Sequence, residues 1–198
     1  MAADRKTLFA RLEELGIATT TVEHAPMFTV EQSGALRMSL PGAHTKNLFL
    51  IDRDGSMVLV VAKDDTRVDL KTLAKRLQAG RLSFGKGEQL EAVLGVPPGS
   101  VTPLALINAS AAGVKVVVDK ALMDFAELNC HPLENTATTR LATQDLIRFI
   151  KACSHEPLNH PPWVRPLAAS RQVAKRLGPA YFRARSGPES LGAATTWH

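Results

Sequence analysis

Hydrophobic positions change their period several times along the chain, and each change predicts an element. Leu8, Leu12 and Leu15 recur at spacings of four and three within Asp4–Leu15, one face of an amphipathic helix that Gly16 can stop. Thr19–Glu23 reads as extended, and Ala25-Pro26 ends it, since the residue before a proline is pushed away from helical angles. Val30–Met38 has a weaker helical pattern, with Thr29 as N-cap and Gln32 at the reciprocal position of a capping box. The period then shortens. Asn47–Ile51 and Met57–Ala62 are apolar on successive residues and flank Asp52-Arg53-Asp54-Gly55, which predicts a hairpin of two strands buried on both faces.

Helical spacing returns in Asp69–Ala79, with Asp69 as N-cap and Leu70, Leu73 and Leu77 facing inward. Leu82–Phe84 predicts a short strand, and Gly87–Leu94 a helix closed by Gly95. Gly95–Pro103 holds three prolines and two glycines in nine residues and can only be a loop. Strands are expected at Leu104–Asn108, Val114–Asp119 and Ala126–Cys130, with Thr136–Leu141 a further short one. Thr143 is expected to cap a closing helix whose buried stripe is Leu146, Ile147 and Ile150. Interleaved helices and hairpin-linked strands, with no internal repeat, predict an α/β fold: a mixed parallel/antiparallel sheet flanked by helices, one domain over residues 1–153.

Composition narrows the class. A chain of 198 residues buries roughly two thirds of its unfolded surface, enough for a core without disulfides or metal. No apolar run approaches the ~20 residues of a spanning helix, and the start, Met1 to Lys6, does not resemble a secretory signal. Two cysteines, Cys130 and Cys153, make no disulfide framework, so a reducing cytoplasm is the expected compartment and no membrane partner is expected. The net charge of +5 is uneven: residues 1–154 hold 18 Lys and Arg against 17 Asp and Glu, whereas residues 155–198 hold six against two. This second stretch, interrupted by six prolines, reads as a basic C-terminal extension (154–198) with one short helix at Ala169–Leu177. Its charge suits a polyanion such as nucleic acid.

The familiar catalytic signatures are missing: no G-x-S-x-G, Walker loop, dinucleotide fingerprint, H-E-x-x-H or paired CxxC. Cys153, His155 and His160 are three ligand-type residues in a Pro-rich stretch, a weak metal signal, and Asp64-Asp65 reads as a solvated turn. Four features remain. Lys46, in Thr45-Lys46-Asn47 at a strand mouth, is either a solvated edge charge or a cation aimed at a phosphate or carbonyl oxygen. The Gly99–Pro103 loop is either a tight connection or a rigid backbone that orients water or an oxyanion. His131-Pro132 follows a strand, where histidine is a rim residue or an acid–base group. The hydroxyls of Asn135–Thr139 can satisfy turn backbone.

Taken in order, Thr45-Lys46-Asn47-Leu48-Phe49-Leu50, Gly99-Ser100-Val101-Thr102-Pro103 and His131-Pro132-Leu133 with Asn135 and Thr138-Thr139 resemble the YbaK/prolyl-tRNA synthetase-associated editing family, in particular its freestanding ProX-type alanyl-tRNA(Pro) deacylases. The resemblance runs over about residues 4–153 and takes in Glu23-His24-Ala25-Pro26 and Phe28-Thr29-Val30-Glu31. It implies hydrolysis of the ester joining a wrong amino acid, alanine on tRNA(Pro), to its tRNA, with no metal or organic cofactor and with prolyl-tRNA synthetase as a possible partner. By motif position it makes Lys46 catalytic, with the Gly99 and Ser100 backbone orienting the water. Asn47, Val101, Thr102, Pro103, His131, Thr29 and Phe28 then bind substrate. Met27, Phe28, Leu48, Val101 and Ile107 are the candidate pocket walls. Two alternatives stand beside this: a deacylase of a cysteinyl, seryl or threonyl ester, and a non-catalytic module that binds tRNA or a synthetase.

Overall fold

A computed structural model describes residues 2–26, 40–160 and 164–166. The expected Val30–Met38 and Ala169–Leu177 helices, and with them Met27, Phe28 and Thr29, lie outside the described residues.

The chain opens with α1 (Arg5–Glu14), where the Asp4 side chain accepts from the Thr7 backbone N–H, and continues into β1 (Thr19–Glu23). β2 (Ala43–Ile51) and β3 (Met57–Lys63) form the expected antiparallel hairpin. Asp52 fixes its turn by accepting from Asp54 N at 2.9 Å and Ser56 N at 2.8 Å. β4 (Thr66–Val68) leads into α2 (Leu70–Leu77), capped by Asp69. It ends two residues short of the expected Ala79, because Gln78 takes a left-handed conformation (φ 51°). β5 (Ser83–Phe84) and α3 (Gly87–Leu94) follow, then β6 (Lys115–Asp119), β7 (Glu127–Cys130), β8 (Ala137–Ala142), α4 (Thr143–Ala152) and β9 (Leu158–His160).

Three expectations are corrected. Leu104–Asn108 is not a strand: Pro103–Ile107 forms a 3₁₀ turn, with proline in its first position and Thr102 Oγ1 accepting from Leu104 N. A short run of buried apolar residues carries no period that separates strand from helix, and here the proline and its cap decided. Thr143 is not the cap of α4. Ala142 holds that position, and the Thr143 hydroxyl instead donates to Phe125 O. The sheet also runs past the expected domain end at Cys153, since β9 pairs in parallel with β6 through Val117↔Leu158 to Asp119↔His160.

The main sheet has the order β1-β8-β7-β2-β3-β6-β9, with β5 also on β2. The β1–β8, β8–β7, β2–β3 and β2–β5 pairs are antiparallel, and β7–β2, β3–β6 and β6–β9 are parallel. Alternation along β3 sends Leu59 and Val61 to one face and Val58, Val60 and Ala62 to the other. The first face is the larger core, where Leu8 and Leu12 of α1, Leu90 and Leu94 of α3 and Leu146, Phe149 and Ile150 of α4 pack with Leu128 and Leu141. The second is covered by α2 through Leu73, with Leu70, Ala74 and Leu77 at its margin. Val58 to Ala62 are therefore buried without a break, each large side chain contributing roughly 1.5–3 kcal/mol. β2 is less enclosed: His44 to Leu48 are only half-buried, and that stretch is where the candidate residues stand.

Candidate active site

β2 meets its parallel neighbour β7 over two positions only, Ala43↔Leu128 and His44↔Asn129, and meets β5 only at Leu50 and Ile51. Between those contacts, Thr45 to Leu48 pair with β3 on one side while the other edge has no partner strand among the described residues. The result is a notch in the sheet at the carboxyl end of β7. Open α/β sheets bind ligands at such strand ends.

Several groups fix the notch. Thr45 Oγ1 donates to Asn129 O at 2.9 Å and lies 3.6 Å from Cys130 Sγ, so a side chain continues the β2–β7 join where the ladder stops. Asn129 Nδ2 donates to Pro41 O at 2.8 Å, anchoring the chain entering β2. Gly42, at φ 89°, makes this approach possible, because a Cβ there would stand 2.8 Å from Glu127 O.

Lys46 and Asn47 are neighbours in a strand, so their side chains leave on opposite faces. Asn47 shares the face of Ala43 and Phe49, and its Nδ2 donates to Val101 O at 3.0 Å. Lys46 shares the face of Leu48 and Leu50, and its Nζ donates to the backbone O of Asp64 at 3.0 Å. Asp64-Asp65 is a turn beside Lys63, whose ammonium ion-pairs with Asp65. The structure therefore joins Asn47 to the Gly99–Pro103 loop and sends Lys46 the other way, which motif order does not reveal.

The loop is held from within. Gly99, exposed, takes φ 91°, and Ser100 N donates to Pro97 O at 3.1 Å. Ser100, Thr102 and Pro103 are buried, so their side chains brace the loop. Val101 is half-buried and presents its carbonyl to Asn47. The Asn47 Oδ1 is buried and has no hydrogen-bond partner among the described residues, a group that normally costs ~1–3 kcal/mol unless a donor meets it.

The pleat orders the end of β7. Leu128 and Cys130 face the larger core, so Asn129 faces the other way, and His131 follows directly where β7 ends at Cys130. His131 Nδ1 hydrogen-bonds Ala137 O at 3.1 Å, and its ring lies 6.5 Å, centroid to centroid, from that of His24. His24 Nε2 in turn pairs with Thr138 Oγ1 at 2.9 Å. Motif reading by residue type missed this His24–Thr138 pair, which is 114 residues apart in the chain. The Asn135–Thr139 hydroxyls do not simply serve a turn: Thr138 and Thr139 sit in β8, and Thr139 Oγ1 pairs with Thr21 Oγ1 at 2.9 Å. Arg5 bridges Glu23 and Glu134, tying α1 to both chain segments that carry the histidines. Its guanidinium holds the Glu23 carboxyl below the usual carboxylate range. Leu48 lies on the opposite face from Val101 and Ile107, so these three candidate walls do not line one surface.

The donor set disfavours one chemistry, attack by a thiolate. Burial pushes the Cys130 thiol up to about 12, so no thiolate nucleophile stands at the notch at neutral pH. Among the described residues no group of three His, Cys, Asp or Glu could hold a metal ion, and His155 is buried with Nδ1 on Val114 O at 3.1 Å. What remains is a lysine ammonium, two imidazoles, hydroxyls and an anchored loop backbone. Groups of this kind can hold an anion and orient an ester carbonyl.

Comparison with known proteins gives this arrangement its class. The profile of the aminoacyl-tRNA editing domain matches residues 24–149, and the chain belongs to that family. Among its relatives, the prolyl-tRNA editing protein ProX of Acetoanaerobium sticklandii is 36% identical over 149 residues, covering 75% of this chain and 91% of that one. A prolyl-tRNA synthetase associated domain-containing protein of Danio rerio is 37% identical over 156 residues, covering 78% and 85%. A solved structure described as a candidate trans-editing enzyme for prolyl tRNA synthetase has the same fold, with a TM-score of 0.60 at 17% identity over 80% of this chain and 97% of that one. No helix among the described residues is long and apolar enough to cross a membrane.

Proposed function

We propose that this chain is a trans-editing hydrolase that cleaves alanine from mischarged alanyl-tRNA(Pro). It works in the cytoplasm on tRNA released by prolyl-tRNA synthetase. The observation that carries the reading is the editing-domain match over residues 24–149, which spans the whole notch from His24 through Lys46 to Thr138. A water oxygen attacks the ester carbonyl carbon, the bond from that carbon to the ribose oxygen breaks, and the ribose oxygen takes the proton. The products are alanine and free tRNA. An aminoacyl ester is already activated, so the site needs only to hold the acceptor end, exclude the cognate residue and place one water.

In this reading Lys46 meets the terminal phosphate or polarises the ester, and its length and charge serve either role. The anchored backbone at Gly99–Val101 orients the water, and Asn47 fixes that loop while its unpartnered Oδ1 accepts from substrate or water. His131 lines the amino-acid pocket. Alanine enters a proline-sized synthetic site because lost apolar contacts discriminate by only ~1–3 kcal/mol, and a second, smaller site can reject proline by steric exclusion.

The test is deacylation of alanyl-, prolyl- and cysteinyl-tRNA(Pro) by the wild type and Lys46→Ala in parallel. The expected result is rapid loss of alanine alone, reduced at least 100-fold in the variant while its melting temperature stays within a few degrees. Cysteine release would overturn the pocket assignment. Cleavage no faster than the spontaneous rate would replace the enzyme with a tRNA-binding module, and an active variant would remove Lys46 from the mechanism.

A further inference from the structure

The charge of the chain has a second concentration besides the C-terminal one. Residues 67–86 carry six Lys and Arg (Arg67, Lys71, Lys75, Arg76, Arg81 and Lys86) against the single Asp69, and they form β4, α2 and the segment through β5. α2 turns Leu73 to the core and leaves Lys71, Lys75 and Arg76 exposed. Among the described residues, Lys71, Lys75, Arg76 and Arg81 form no salt bridge, so this charge is not neutralised within the fold.

The surface has shape as well as sign. A groove of about 870 Å³ runs between α2 and the segment Ala79–Leu82, with Arg53 of the β2–β3 turn at its end. Leu70 and Ala74 form part of its floor, and Arg53, Lys71 and Arg81 its basic rim. Gly80 gives Arg53 its place: a Cβ there would stand 3.0 Å from Arg53 Cγ. Of the rim groups, Arg53 ion-pairs among the described residues with the exposed Asp54 alone, at 3.6 Å. Such an exposed pair is worth little and is open to exchange for a better anion.

We propose that this groove docks the sugar–phosphate backbone of the tRNA whose ester is presented at Lys46, an inference that rests on the deacylase reading for its substrate. Three cations around one concavity match a chain of phosphates, and Arg and Lys supply most such contacts. The spacing fits a single ligand. Lys46 lies in β2 and Arg53 in the turn just beyond its end, seven residues on and so at most roughly 20 Å away at ~3.3 Å per residue. That is about six phosphate steps of a stacked strand. A tRNA with its acceptor end in the notch therefore has backbone within reach of the groove.

The experiment compares wild type with Arg53→Gln/Lys71→Gln/Arg81→Gln and with the corresponding Glu triple variant, after melting curves establish that each is folded. Binding of uncharged tRNA(Pro) is followed from 50 to 300 mM KCl, together with hydrolysis of full-length alanyl-tRNA(Pro) and of a short alanylated CCA oligonucleotide. We expect the slope of log affinity against log salt to fall by about 2–3, at ~0.7–0.9 for each lost phosphate contact. The kcat/KM on full-length tRNA should fall at least tenfold, with hydrolysis of the oligonucleotide unchanged. An unchanged slope and unchanged full-length activity overturn the proposal, as does an equal loss on the short substrate. Loss of binding to phosphatidylserine vesicles with tRNA binding intact would also overturn it, reassigning the groove to a lipid surface. If wild type hydrolyses neither ester while the slope still changes, the deacylase reading fails and the docking surface stands.

Discussion

Gly42→Ala tests whether the join between β2 and β7 is set by backbone contact. Gly42 has φ 89°, where an L side chain costs ~1–2 kcal/mol. The added Cβ would also stand 2.8 Å from Glu127 O and 3.3 Å from Asn129 Nδ2. The first neighbour is a backbone carbonyl, which no rotamer change can move. β7 must shift against β2 at the two residue pairs that align them, and the Asn129 bond to Pro41 O weakens, a further ~1 kcal/mol. Alanine also restricts the unfolded chain, which returns ~0.4–1 kcal/mol. The net destabilisation is about 1–3 kcal/mol. Gly16→Ala is the matched control: its φ is also positive, at 62°, but nothing lies within 4 Å of the added methyl. Strain and unfolded-state terms nearly cancel there, leaving ~0–1 kcal/mol. The strain and unfolded-state terms are common to both variants, so at about 2–4 °C per kcal/mol for a chain of this size the further ~1 kcal/mol should make Gly42→Ala melt at least roughly 2–4 °C below Gly16→Ala. It should also lose more hydrolysis, because β2 carries Lys46 and His131 directly follows β7. Equal melting temperatures and equal activities would refute the reasoning.

Two further outcomes are expected. Thr102→Val removes the hydroxyl that accepts from Leu104 N and strands a buried donor in the 3₁₀ turn, costing ~1–2 kcal/mol, which thermal unfolding will register as a fall of about 2–8 °C. Backbone N–H groups, Ser56 first, hold the Asp52 carboxyl below its ordinary value, and hydrogen bonds from Thr72 do the same for Asp69. Folded values below unfolded ones stabilise at neutral pH and lose that contribution as pH falls through and below ~4, so the melting temperature should drop between pH 5 and 3, less steeply in Asp52→Asn. A wild-type melting temperature that stays flat over that range would contradict it.

The sequence by itself determined most elements, because their signals are local. Asp4 and Asp69 cap helices as their positions predict, Gly95 closes α3 in a left-handed conformation, and the apolar runs around Asp52–Gly55 form the hairpin. Where the signal was short and apolar, as at Leu104–Ile107, burial was legible but conformation was not, and Pro103 with its Thr102 cap settled it. The motif residues were also legible as a set. Their geometry was not, since it depends on which strands become neighbours. Only the β2–β7 pairing brings the end of β7 beside the start of β2, and only the pleat sends Lys46 to the Asp64 carbonyl and Asn47 to the Val101 carbonyl. His24 meets Thr138 because β1 pairs with β8, and the basic groove exists because α2 packs across the hairpin and brings Lys71 and Arg81 to Arg53. Caps and turns are fixed by a few consecutive residues. A site of side chains more than a hundred residues apart is fixed by strand order and register, which follow from burying both faces of the sheet at once.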